Sequence, residues 1–142
     1  MTSAYISREV ERRVRQMAQD RCGYCLSQQQ YVFAPLEIEH IVPRALDGTS
    51  NEENLWLACP LCNSYKGVQC EGIDPLTHEV VPLFNPRMQK WQEHFAWSKD
   101  STQIVGQTAC GRATVIALQL NNIIAVTVRR AWVSAGWHPP TS

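Results

Sequence analysis

Val10, Val14, Met17 and Ala18 recur at helical intervals behind Ser7, whose hydroxyl suits an N-cap, and together they predict an amphipathic helix. Its apolar stripe is expected to face the core, while Arg8, Arg12 and Arg15 share a second stripe read as a solvated face. Further on the period changes to two. Leu36 and Ile38 alternate with Glu37 and Glu39, predicting a strand that runs to His40, with Pro43 marking its exit. The run Tyr31-Val-Phe33, before Pro35, is an earlier short strand candidate, and Leu55-Trp-Leu-Ala58 is a later one. Between them, residues 44–54 are polar and include Asp47-Gly48-Thr49-Ser50-Asn51, which is turn chemistry and predicts a long surface loop. A short helix follows Cys59-Pro-Leu-Cys62 and runs through Lys66 to a break at Gly67.

The pattern shifts again from Gly72, where Pro75, Pro82 and Pro86 punctuate short extended pieces such as 80–84. Trp91, Phe95 and Trp97 supply large apolar area, and a turn at 98–101 precedes the extended piece 103–107. Two helices close the chain. The first carries Ala109, Ala113, Ile116 and Leu120 at helical spacing. The second is capped by Asn121 or Asn122, places Ile124, Val128, Trp132 and Ala135 on one stripe, and stops at Gly136 and Pro139. The β-branched content of 123–128 leaves a strand as the alternative there. This order of elements predicts an α+β protein with a core at 1–72 and an extension at 73–142 packed on it.

A chain of 142 residues suits one compact domain or a small domain with an extension. Thirteen Lys plus Arg balance thirteen Asp plus Glu, so no whole-molecule field marks a nucleic-acid binder, although phosphate contact needs only a few well-placed cations. The first 13 residues are charged and lack the apolar stretch of a secretory leader, and no later run has the length of a membrane span. The expectation is a cytoplasmic protein with no membrane partner. In that reducing setting, six cysteines read as metal ligands and plain thiols. Cys22/Cys25 and Cys59/Cys62 are two Cys-x-x-Cys pairs, each able to turn both sulfurs toward one point, and together they offer four thiolates to one structural zinc. The 33 residues between the pairs exceed a simple zinc ribbon and imply an inserted hairpin; a redox pair is the competing reading. Cys70 and Cys110 have no paired spacing and read as free thiols.

The residues between the knuckles carry a resemblance. Leu36-Glu-Ile-Glu39-His40-Ile-Val-Pro43, then Gly48, Asn54-Leu55 and Cys59-x-x-Cys62-Asn63-x-x-Lys66-Gly67 follow in an order that resembles the HNH family of ββα-metal nucleases, over residues 22–67. The resemblance implies a zinc-stabilised, treble-clef-like ββα-metal core and endonuclease activity on DNA, most naturally double-stranded. Phosphodiester hydrolysis needs an activated water, a cation to offset developing charge, and a frame for both. His40 is the nearby side chain that accepts a proton near neutral pH and is read as general base. Glu39 and Asn63 offer hard oxygens suited to Mg²⁺ or Mn²⁺. Asn54 takes an orienting role through the resemblance, bracing the long loop, and Lys66, three residues from Asn63 on one helix face, is read as a phosphate contact.

Arg44, Arg87 and Arg112 are expected to join Lys66 on DNA, and the extension offers a surface for a homodimer. Glu39 stands where the family more often has Asp. Each residue also has a plainer role: His40 as a hydrogen-bonded strand end, Asn54 as a loop terminator, Asn63 as a helix cap. Two other functions follow from those roles, namely a catalytically inactive zinc-dependent nucleic-acid-binding module and a structural zinc module recruiting proteins. Glu93-His94 repeats the Glu39-His40 pair without a Cys or Asn frame, so His94 is read with Trp91 and Phe95 as packing, and His78 and His138 as loop residues.

Overall fold

The computed structural model describes residues 5–141, so the first four residues of the charged N-terminal stretch lie outside it. The packing divides the chain into two compact units. One comprises the described residues of Met1–Cys70 together with Asn85–Gln89, and the other Glu71–Phe84 with the described residues of Lys90–Ser142.

The first unit opens with helix α1, Arg8–Met17, where Ser7 Oγ accepts from the Val10 amide at 3.1 Å. Val14 and Ala18 are buried, but Met17 is half exposed, so the core stripe is narrower than the apolar spacing suggested. The arginine stripe is divided as well. Arg15 turns inward to donate to the Leu36 carbonyl at 2.7 Å and to Glu11. Strands β1, Glu37–His40, and β2, Leu55–Ala58, pair antiparallel with Ile38 opposite Leu57 and His40 opposite Leu55. Ala18, Leu36 and Leu57 form the buried cluster beneath them. Helix α2, Pro60–Lys66, starts with Pro60 in its first turn, where a missing N–H costs nothing, and ends at Gly67 with φ 53°.

Two local expectations change here. Residues 31–33 form no strand; a 3-10 turn occupies Gln29–Tyr31 instead, because the Gln29 side chain accepts from the Leu36 amide at 2.7 Å and donates to the Ala34 carbonyl. Those bonds satisfy the backbone locally and leave Phe33 fully exposed. The loop at 44–54 is also not featureless, carrying 3-10 turns at Arg44–Leu46 and Glu52–Asn54.

The second unit holds two more hairpins, β3 (Glu71–Ile73) with β4 (Val80–Pro82) and β5 (Phe95–Trp97) with β6 (Ile104–Gly106), joined by helix α3, Trp91–His94. Helix α4, Ala109–Ala117, is capped by Thr108, and α5, Ile123–Ala135, by Asn122, so the helical reading of 123–128 prevails over the strand alternative. The buried face of α5 is not the apolar stripe, since Ile124 is 61% exposed and the one buried residue of α5 is Arg129. Its guanidinium donates to the Leu120 carbonyl at 2.7 Å and the Thr102 carbonyl at 3.0 Å and lies over Trp97, so the cation closes carbonyls left open by α4 and the preceding turn. His94 sits edge-on to Phe84 and bonds Thr108 at 2.7 Å, a packing role. His138 is a loop residue, as expected, and is buried against Trp97. No helix of the described residues is long and apolar enough to cross a membrane.

Candidate metal centre and catalytic cleft

The sulfurs of Cys22, Cys25, Cys59 and Cys62 all lie within 4.8 Å of one another, with Cys25 and Cys59 at 3.7 Å. Four thiolates around a tetrahedral zinc, each ~2.3 Å from it, stand roughly 3.8 Å apart, so the donor set fits that ion. Both turns are built alike. The Tyr24 amide points at Cys22 Sγ at 3.5 Å, and the Cys62 amide at Cys59 Sγ at 3.3 Å, which makes Cys59 the N-cap of α2 as well as a ligand. Gly23 is required at its place because a Cβ there would run into the Trp56 indole. With protons on the thiols, burial pushes Cys22 up, whereas hydrogen bonds from Cys22 and its other neighbours hold Cys25 well below the ordinary thiol range. A zinc ion would replace that sharing of protons and convert all four to thiolates.

Strand β1 packs against α2. On that shared side Asn63 Nδ2 donates to Glu37 Oε1 at 2.8 Å, and one turn later Lys66 Nζ reaches Glu39 Oε1 at 2.7 Å. Two successive acids of the strand thus meet two residues of one helix face. The second rung is deeply buried, with Glu39 and Lys66 each 2% exposed. Tyr24, inside the first knuckle, donates to both oxygens of Glu39 at 2.8 Å. Burial pushes the Glu39 carboxyl up, and Lys66 and Tyr24 oppose that rise. The Tyr24 phenol is itself pushed well up by burial and by the Glu39 charge, which keeps it a proton donor.

His40 follows immediately. Its Nε2 lies 3.0 Å from Ser50 Oγ, and burial, then the charges of Arg44 and Lys66, hold the imidazole below its ordinary value. The loop that carries Ser50 is pinned by Asn54. Its Oδ1 accepts from the Val42 amide at 2.9 Å, while Nδ2 donates to the Val42 carbonyl at 3.0 Å and the Thr49 carbonyl at 2.7 Å. Gly48 completes the turn, since a Cβ there would collide with the Val42 carbonyl oxygen. His40, Arg44, Asn63, Glu39 and Val68 line one open cleft of about 260 Å³.

The structure thus gathers His40, Glu39, Asn63 and Arg44 around one cleft and sets Asn54 behind its rim. Lys66 lies beneath it, with all three ammonium protons directed at Glu39 and the His40 and Ile41 carbonyls. Arg87 and Arg112 are occupied elsewhere. Arg87 lies over Trp56 and donates to the Leu55 carbonyl at 3.2 Å, and Arg112 in the second unit grips Asp74 at 2.8 and 2.9 Å. Tyr24, Glu37 and Ser50 were not singled out by sequence reasoning. For Tyr24 and Ser50 the partner is at least ten residues away and no periodicity links the two, whereas the one signal for Glu37 was its place two residues before Glu39 on the same strand face.

Residues 22–69, about a third of the chain, match the family model described as HNH endonuclease. This segment is an HNH endonuclease domain of ββα-metal fold with a four-cysteine cluster suited to structural zinc. No curated protein and no solved structure matches the chain.

Proposed function

We propose that the protein is a metal-dependent endonuclease that hydrolyses phosphodiester bonds of double-stranded DNA, acting in a reducing compartment such as the cytoplasm. The observation that carries this reading is the convergence of an imidazole, a carboxylate, a carboxamide and an arginine on one cleft within the matched segment. His40 is the general base. With Nε2–H donated to Ser50 Oγ, its Nδ1 lone pair is the acceptor for a proton from the attacking water. Asn54 holds the loop that fixes Ser50, and therefore the ring, so its part is positioning. Arg44 is the cleft's cation for the substrate phosphate.

The donor chemistry at Glu39 and Asn63, one carboxylate and one amide oxygen, fits Mg²⁺ or Mn²⁺, and these residues would hold it. The ion supplies charge stabilisation at the phosphate and leaving oxygen. Glu37 keeps the Asn63 amide nitrogen occupied, so the carbonyl oxygen is the atom left for a ligand role.

Incubating supercoiled plasmid with the zinc-loaded protein and Mg²⁺ or Mn²⁺ tests the reading. Relaxation or linearisation is expected, abolished by chelator and reduced ~10²- to 10⁴-fold in His40→Ala. No cutting with any divalent ion would refute the enzyme. The engagement of both Glu39 oxygens by Lys66 and Tyr24 favours a second reading, a binding-only module, which that negative result together with retained DNA binding would establish.

A further inference from the structure

The Glu39–Lys66 pair is costly to maintain. Burying two charges is repaid only when geometry and supporting hydrogen bonds are good, and apolar residues in the same space generally do as well. Here the support is complete: Tyr24 spans both carboxylate oxygens, and the ammonium spends its remaining protons on the His40 and Ile41 carbonyls. The pair is therefore a built cation site on a carboxylate that also lines the cleft, next to the Asn63 amide.

We propose that Lys66 is a resident counter-ion of Glu39, which a divalent cation displaces, and that the displacement frees the ammonium for the substrate phosphate. The inference rests on the assignment of Glu39 as a metal ligand made above. An ammonium 2.7 Å from one carboxylate oxygen and a divalent ion on the same group would repel strongly, so both cannot keep their places. Lys66 has the means to leave. It is the last residue of α2, its four-carbon stem is flexible, and Gly67 and Val68 directly after it line the cleft. Tyr24 is what remains. Anchored in the zinc knuckle, its hydroxyl keeps Glu39 oriented while the cation partner changes, so the carboxylate is never left without a hydrogen bond. Without divalent ion the phosphate-binding ammonium is locked away, and arrival of the ion both loads the site and releases it.

The test uses the intact zinc-loaded protein without DNA. A buried, fully bonded lysine ammonium exchanges its protons slowly enough to be followed by ¹⁵N NMR, and the Lys66 Nζ signal is expected to fade or shift as Mg²⁺ is added. Mn²⁺ binding, read from the free-ion EPR signal, is expected to weaken at least ~10-fold in Glu39→Gln and to tighten several-fold in Lys66→Gln. Glu39-dependent binding that leaves the Lys66 signal unchanged would overturn the exchange while sparing the nuclease reading. Equal binding by Glu39→Gln would overturn the metal assignment and this proposal with it. Should Lys66→Gln fail to fold, the wild-type NMR titration decides alone.

Discussion

At the residue scale the cleft depends on side chains that do not line it. Asn54 spends its whole carboxamide on the loop backbone, making three hydrogen bonds to Val42 and Thr49. Each such bond contributes about 1 kcal/mol net, and unpaired backbone groups add a penalty when the partner is removed. Asn54→Ala should therefore destabilise the first unit by about 2 to 3 kcal/mol in denaturant unfolding. Asn54→Asp keeps the oxygen acceptor but sets a carboxylate oxygen against the Val42 and Thr49 carbonyls, and should be at least as destabilising. Ser50, carried on the loop so pinned, holds the His40 ring through Nε2 at 3.0 Å.

Much of what surrounds those residues was legible at the level of elements. The knuckles follow from Cys-x-x-Cys spacing because a turn of that length fixes both sulfurs locally. The β1 alternation and the Ser7 and Asn122 caps likewise depend on neighbours within four residues, whereas α2 starts at Pro60, inside the second knuckle rather than after it as expected from the sequence. What stayed hidden was set by distant partners. The Glu39 to Tyr24 bond spans 15 residues and the Lys66 to His40 bond 26, and neither leaves a periodic trace. Arg129 shows the same limit in α5, where four apolar residues were the natural core face and a cation took it by meeting open carbonyls. A structural zinc would act on this scale too, because it would tie the turn after α1 to the start of α2. Stripping it with a chelator, or replacing Cys59 by Ser, should melt the β1–β2–α2 arrangement, visible as lost amide exchange protection in 37–66 and recovered on adding zinc.

For the whole molecule, zero formal net charge leaves local pairs to govern the response to acid. In the second unit Arg112, then the Leu76 amide and Thr77, hold the Asp74 carboxyl well below the usual carboxylate range. A carboxyl depressed by folding stabilises above its unfolded value and ceases to do so as pH falls through the folded one. The Asp74 contribution should thus be constant from pH 7 to about 5 and decline below the ordinary Asp value of ~3.9. Asp74→Asn should be less stable at neutral pH and show a shallower acid decline, as measured by denaturant midpoints across that range. A mutant whose acid decline matched wild type would remove Asp74 as its source.

The chain leaves the first unit at Cys70 and comes back to it for five residues, Asn85–Gln89, where Pro86 lies close to Gly23 and Arg87 covers Trp56. That return bears on portability. A domain transplanted between proteins by one recombination event must be a single continuous stretch, and this one is not. A fragment cut at residue 72 would carry every cysteine ligand and His40 yet expose the Trp56 indole and open the flank of the first knuckle. Such a fragment should bind zinc more weakly than the full chain in a chelator competition, and a peptide of residues 85–89 rejoined through a short linker should recover most of the loss. Equal zinc affinity of the bare fragment would mean that the graft needs no returning strap.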